Sequence, residues 1–210
     1  MRITKHILVT VVQLATIVTN SQAVEQTELQ MTKKFYYENE PVNLRIIQAL
    51  TTWLSDGGNQ IVAINLRDSQ KSNRFFCDKS IKIRPLDKEK QMVSVELKDN
   101  EWFAYVYVGQ TSSGILVLRT LYSSGGSGMF NSILLLKLEK EPKYTYDEEK
   151  QIIKSSGKEI VLKKLTEISL TDRWQGHIKI EGNSIILLKD RDAATGKLAT
   201  PKKSVIQMKI

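Results

Sequence analysis

From Met92 to Leu138 the chain repeats one arrangement: short runs rich in branched and aromatic residues, each closed by a cluster of turn-forming residues. The runs are Met92 to Leu97, Trp102 to Val108, Ile115 to Tyr122 and Phe130 to Leu138. Between them stand Lys98-Asp99-Asn100-Glu101, Thr111-Ser112-Ser113-Gly114 and Ser123-Ser124-Gly125-Gly126-Ser127-Gly128. Side chains of this kind pack on a pleated surface, and links this short leave no room for the crossover that a parallel pair needs. The expected neighbours are therefore antiparallel. Strand signals resume at Ile160 to Leu170, His177 to Ile180, Ser184 to Leu188 and Ser204 to Ile210, with Glu181-Gly182-Asn183 reading as a hairpin turn.

Other stretches carry different patterns. Asn39-Glu40-Pro41 reads as a helix start, and Ile46, Leu50, Trp53 and Leu54 put one apolar face on a helix from about Pro41 to Leu54, closed by Asp56-Gly57-Gly58. From Gln60 to Leu66 the residues are apolar on nearly both alternating sides, which suits a buried strand. The charged stretch Pro142 to Gly157, with Asp147-Glu148-Glu149-Lys150, reads as a surface excursion with a helical turn, and Asp190 to Lys203 as a polar loop. The fold expected from these patterns is mainly β, an antiparallel sandwich or partly open barrel with one N-terminal helix.

The first 23 residues read as an export signal. Arg2 and Lys5 precede a mostly apolar run from Ile7 to Val18, and Ser21-Gln22-Ala23 places small residues where a signal peptidase reads. A membrane span needs roughly 20 apolar residues, and this run is shorter and diluted by Thr10, Gln13 and Thr16. The predicted organisation is a signal at 1–23, a polar flexible arm at 24–38 and one β-rich domain at 39–210, secreted or periplasmic, with no transmembrane segment after signal removal.

Removing Arg2 and Lys5 from the 31 basic residues leaves 29 against 23 acids, a net charge of +6. Most lysines stand beside acids, as in Lys137-Leu138-Glu139-Lys140-Glu141, which is the pattern of a solvated surface rather than of a basic nucleic-acid face. The single cysteine, Cys77, permits no intrachain disulfide and reads as a buried thiol. Such a chain depends on its apolar core.

Residue supply also limits chemistry. Past residue 23 the only histidine is His177, so three or four nitrogen and sulfur ligands for zinc cannot be assembled. No Gly-x-Ser-x-Gly elbow occurs, and Gly125-Gly126-Ser127-Gly128 is followed by a strand instead of the helix that a phosphate loop requires. Paired carboxylates remain, with Asp147-Glu148-Glu149 and Asp190-Arg191-Asp192 as the visible clusters. Trp102, Phe103, Tyr105 and Tyr107 offer rings for stacking, although alternation sends half of a strand's rings into a core.

The segment Ser124-Gly125-Gly126-Ser127-Gly128-Met129-Phe130-Asn131-Ser132-Ile133-Leu134-Leu135, together with Thr171-Asp172-Arg173 through Ile185-Ile186-Leu187-Leu188, resembles the LppP/LprE group of bacterial envelope lipoproteins and their exported relatives. The likeness covers about residues 114–210. It departs at Thr171, where glycine is usual, and in lacking both paired cysteines in Asp190 to Lys203 and a lipid-bearing cysteine. The resemblance implies envelope location and a β fold, and it transfers no catalytic residue.

The function expected from all this is a non-catalytic envelope or extracellular module that binds a macromolecule or glycan, without cofactor or metal and without nucleic acid. The candidate ligand-binding residues are Trp102, Tyr105, Tyr107, Asp172, Arg173 and Trp174. The alternatives are a carboxylate-based hydrolase of glycans and an enzyme inhibitor. A row of exposed aromatics would mark a glycan binder, and an extended loop standing clear of the sheet would mark the inhibitor.

Overall fold

The computed structural model describes residues 34–51, 60–70, 81–86, 90–170, 172–174, 176–188 and 203–207. The expected export signal, Cys77, Trp53, Leu54, the expected helix stop at Asp56 to Gly58 and the Asp190 to Lys202 stretch lie outside the described residues. The chain divides between Pro41 and Val42 into two compact units. What is described of the first is a small hairpin, β1 (Tyr36–Tyr37) with β2 (Glu40–Pro41), turned by Glu38 and Asn39 at φ 51° and 68°.

The second unit holds the β fold that the alternation predicted. Its main sheet has seven antiparallel strands, β3 (Ala63–Asn65), β4 (Lys82–Pro85), β5 (Gln91–Glu96), β6 (Glu101–Gln110), β7 (Ile115–Ser124), β8 (Phe130–Asp147) and β9 (Ile152–Ser169). They lie in the order β3-β9-β8-β7-β6-β5-β4. A second sheet is formed by β10 (His177–Glu181), β11 (Ser184–Leu188) and β12 (Lys203–Gln207). Two α-helices, α1 (Leu44–Leu50) and α2 (Leu66–Gln70), and a short 3-10 segment at Lys98–Asn100 complete the described elements.

Local chemistry explains the boundaries. Lys98-Asp99-Asn100-Glu101 closes the β5–β6 hairpin with Asp99 and Asn100 both at positive φ, 58° and 63°, the mirror-image turn whose twist matches the flanking strands. Helix α1 starts three residues later than Pro41 because Pro41 is paired in β2 and Asn43 supplies the cap, its side chain accepting from the Arg45 N–H at 2.9 Å. Strand β3 stops at Asn65, and Leu66 begins α2 instead of continuing the expected strand. The Asn65 side chain accepts from the Asp68 N–H at 3.1 Å, a local bond that turns the backbone out of the sheet.

The main sheet is covered on two sides within this unit. On one face, here called the front, Ile115, Val117, Ile133 and Leu135 are buried with Ile185 of the small sheet, and Val108, Ile168, Ile178, Ile180, Leu187 and Ile206 pack around them. On the back face the register aligns Val93, Val95, Phe103, Tyr105, Leu116, Leu118, Leu134, Leu136 and Leu162, all buried. Helix α1 packs against β5 and β6, and the Tyr105 hydroxyl donates to the Val42 carbonyl at 2.6 Å, which places the helix entry on that back face. Each fully buried Leu or Ile contributes about 1.5–3 kcal/mol relative to exposure. That sum does the work that disulfides do in cysteine-rich exported domains.

The largest departure from the sequence reading is in β8 and β9. Pro142 to Gly157 stands at the surface as expected, but as strand instead of with a helical turn: both strands run on to a turn at residues 148–151, paired from Ser132↔Ser169 to Asp147↔Ile152. Two register shifts leave Leu165 and Ser156 as extra residues in β9, and such bulges bend and twist the bulged strand. Strand β4 is a further element that the sequence reading passed over. It forms an edge, exposed at each of its four residues, and carries Lys82, Arg84 and Pro85, residues that discourage edge-to-edge pairing.

Candidate functional site

The six candidate residues do not converge. Tyr105 and Tyr107 lie on the back face at 2% and 9% exposure, and burial pushes the Tyr107 hydroxyl well above the ordinary tyrosine range. Both are core residues, which corrects their assignment to a ligand site. Trp102 stands an odd number of positions from them and so faces the front, half-buried with Met92 and Met129 against Ala104, Val106 and Leu121. The parity was readable in the sequence.

Asp172, Arg173 and Trp174 form a clamp on the glycine-rich loop. The Asp172 carboxylate accepts from the Met129 N–H at 2.7 Å, the Arg173 N–H donates to the Met129 carbonyl at 3.0 Å, and the Arg173 guanidinium donates to the Ser127 carbonyl at 2.6 and 3.1 Å. Trp174 is buried, with the Arg119 guanidinium carbon 4.9 Å from its ring centroid. Arg119 also donates to the Trp174 carbonyl at 2.7 Å and, through two nitrogens, to Asn131 Oδ1. The loop itself presses on the β5–β6 turn: a Cβ on Gly125, at φ +81°, would stand 2.4 Å from the Asp99 carbonyl oxygen. The similarity motif therefore has a structural role here. Trp102 and the clamp share the front face through Met129, whereas the two tyrosines do not join them.

Two concave features line the main sheet. One is a cleft of about 390 Å³ at the β4–β5–β6 end, bounded by Trp102, Met92, Ser94, Asn100 and Lys82, with the carboxylates Glu96 and Glu101. Glu96 forms an ion pair with Lys82, and Glu101 hydrogen-bonds Tyr122, whose hydroxyl is raised first by burial and then by that carboxylate. The other is a cavity of about 20 Å³ on the back face, room for about one water molecule, where Thr51, Phe103, Tyr122 and Phe130 surround Thr120, Ser132 and Glu167. Glu167 is held there by Lys164 at 2.8 Å, both side chains 6% exposed, and accepts from Ser132 Oγ at 2.8 Å. Thr120 and Ser132 share a further hydrogen bond of 2.6 Å.

A carboxylate hydrolase needs two acids across a shared space with one pKa raised. The larger cleft holds two carboxylates, Glu96 ion-paired with Lys82 and Glu101 hydrogen-bonded with Tyr122, whereas the small cavity presents one, and a lysine neutralises it. In Asp147-Glu148-Glu149 the shift runs the wrong way: the Lys154 ammonium at 2.5 Å, then the Lys150 N–H, hold the Asp147 carboxyl below the usual range. Among the described residues no three His, Cys, Asp or Glu side chains gather in a metal-sized group. His177 is exposed at the start of β10, opposite Leu188.

The prominent surface feature is one the sequence reading missed. From the Lys140↔Ile160 pair outward, β8 and β9 pair only with each other among the described residues and form a two-stranded ribbon. Alternation divides it into two faces. One carries Glu139, Glu141, Lys143 and Asp147, neutralised in place by Lys137, Lys163 and Lys154 and, for Lys143, by Asp68 of α2 at 3.3 Å. Glu139 lies below its usual pKa through the Lys163 hydrogen bond first and that of Lys137 second. The other face carries Tyr144, Tyr146 and Ile153, at 63%, 60% and 72% exposure, with Tyr146 directly opposite Ile153. The signal was present in the alternation of Tyr144 and Tyr146 with Lys143, Thr145 and Asp147, and the density of charge around it obscured it.

No family model matches this chain, and neither a curated protein nor a solved structure does. Among the described residues no helix is long and apolar enough to cross a membrane.

Proposed function

We propose that this chain is an exported, non-catalytic interaction module, secreted or periplasmic and akin to the LppP/LprE envelope group, that works by contacting another protein along the β8–β9 ribbon. Export is supported by the basic start, apolar run and small residues of 1–23. The non-catalytic reading is supported by the shortage of histidine and cysteine.

The observation that carries the proposal is the row of Tyr144, Tyr146 and Ile153 facing solvent on a ribbon whose opposite face is charge-neutralised. Ribbons and edges of this kind recognise proteins by backbone pairing and by alternate side chains, and tyrosine is an efficient contact residue. Tyr144 and Tyr146 also meet the expectation of exposed rings on one surface for a glycan binder; the aliphatic Ile153 directly opposite Tyr146 favours a protein there, and Tyr105 and Tyr107 are in the core.

The test is a photoreactive phenylalanine analogue placed at Tyr144 or, on the opposite face, at Thr145, in cells producing the protein, with the envelope and external fractions examined. Crosslinks to a protein from position 144, and few from 145, are expected in the exported fraction. Absence of any protein crosslink from 144 overturns the reading.

A second reading rests on the Trp102 cleft, whose volume falls within the range of small-ligand sites and whose wall joins a ring to amide, hydroxyl and carboxylate groups. It assigns the cleft to a short glycan stacked on Trp102. Retained binding to soluble envelope glycan fragments after Trp102→Ala, in a variant that stays folded, would exclude it.

A further inference from the structure

We infer that the outer part of the ribbon, Tyr144 to Ser155, is a conformational unit of its own, opening and re-forming in the folded protein while the main sheet stays intact. This is a property of the ribbon and requires no partner. The first observation behind it is burial. From Lys137 to Ile160 no residue is buried, whereas Leu136 and Val161, at the two ends of that stretch, are. A two-stranded hairpin that packs no apolar face on a core is marginally stable in water. The outer ribbon is held by its own ladder.

The second observation is where the ties to the rest of the protein end. At the ribbon's base Lys137, Glu139, Glu141 and Lys163 form one ion-pair network, Asp68 of α2 reaches Lys143, and Asn65 reaches Glu159. Beyond the Lys143↔Gly157 pair the side-chain bonds stay inside the ribbon, where the Asp147 carboxylate takes the Lys154 ammonium and the Lys150 N–H. The boundary coincides with the outer bulge. There Ser156 is the extra residue, its hydroxyl donating to the Lys143 carbonyl at 3.3 Å, and Gly157 stands at φ +126° with nothing within 4 Å of an added Cβ. A bulge disrupts the ladder locally, and glycine has the most chain entropy to regain on release. Opening that stops at this point breaks four cross-strand pairs, Tyr144↔Ser155 to Asp147↔Ile152, and uncovers little apolar surface, because Tyr144, Tyr146, Ile152 and Ile153 are exposed already.

Amide hydrogen exchange on the native protein at neutral pH tests this. Amides that donate within the ladder between residues 144 and 155 are expected to be protected about 10- to 100-fold over an unstructured chain, and ladder amides of β6 and β7 at least about a hundredfold more than that. Urea below the unfolding midpoint is expected to speed exchange in β6 and β7 and to leave the outer ribbon nearly unchanged, because its opening exposes little new surface. Tyr146→Ala, which removes the cross-strand contact with Ile153, is expected to lower protection in the outer ribbon about threefold with the global midpoint unmoved. Ile133→Val, in the buried front core, is expected to do the reverse, lowering protection in β7 about fivefold and leaving the outer ribbon as in the parent.

Outer amides that share the protection and urea dependence of β7 overturn the inference, as does a Tyr146→Ala variant whose global midpoint moves or an Ile133→Val variant whose ribbon protection falls with that of β7. Exchange as fast as in an unstructured chain overturns it too, since no formed state would then exist to open.

Discussion

The Arg119 guanidinium lies over the Trp174 ring, 4.9 Å from its centroid, while its Nη2 donates to the backbone carbonyl of the same tryptophan at 2.7 Å. One side chain on β7 thereby fixes both the ring and the chain path of the connection between β9 and β10. Burial lowers the affinity of Arg119 for its proton, yet an arginine retains its charge at any working pH.

Arg119→Ala is expected to destabilise the fold by about 2–4 kcal/mol, combining a part-buried cation–π contact with hydrogen bonds from a charged donor. Arg119→Lys is expected to recover less than half of this, because an ammonium keeps the charge but loses the planar fork that spans Asn131 and Trp174. Urea unfolding followed by tryptophan emission measures both, and a lysine variant as stable as the parent would contradict the geometric account.

Gly125 and Gly126 are neighbours with opposite expectations. Gly125→Ala places a methyl 2.4 Å from the Asp99 carbonyl at φ +81°, and a loss of about 1–3 kcal/mol is expected. At Gly126 nothing lies within 4 Å of the added carbon, so Gly126→Ala is expected to stay within about 0.5 kcal/mol of the parent. Chemical denaturation of the pair of variants checks the contrast, and equal midpoints would refute it.

Lys164 and Glu167 form the buried ion pair of the main sheet. Lys164→Met leaves a buried carboxylate without its counter-charge, and a loss of about 3–5 kcal/mol is expected. Lys164→Met with Glu167→Gln removes both charges and keeps an acceptor for Ser132, so the double variant is expected to be more stable than the single one. A double-mutant cycle by thermal unfolding measures the coupling, and additive losses would show that the pair does not act as a unit.

Asp147 makes the ribbon tip sensitive to acid. Its folded pKa is depressed by Lys154 and then by the Lys150 N–H, so the stabilisation is present above the unfolded value near 4 and is lost as pH falls through the lower folded value. Amides of the tip, read by hydrogen exchange, are expected to lose protection below about pH 4 ahead of those in β7, and Asp147→Asn is expected to remove that step. A tip that keeps its protection at pH 3 would show that the pair does not hold the turn.

How far the fold could be read in advance depended on the range of the interaction involved. The pattern bounds Ser184–Leu188 as the structure shows it and β5 to β7 to within two residues at each end, because alternation and turn chemistry are local. Asn39 and Asn43 are both good helix caps, and sequence favoured the wrong one because the pairing of Pro41 with Tyr36 is not a property of the helix segment. The candidate site is less legible: Trp102, Tyr105 and Tyr107 are near one another along the chain, yet their even and odd positions assign them to opposite faces.

By itself the sequence determined that the chain is mainly β, that its strands run antiparallel and that apolar burial without disulfides holds them. These follow from side-chain period, turn residues and cysteine count, each settled over a few neighbouring positions. Only the tertiary structure decided that β8 and β9 outrun their neighbours into a ribbon, and that Asp172 to Trp174 clamp the glycine loop where a ligand was expected. The physical reason is that a strand's two faces are equivalent until long-range pairing determines which neighbours cover them, and Tyr144 is exposed while Tyr105 is buried for that reason.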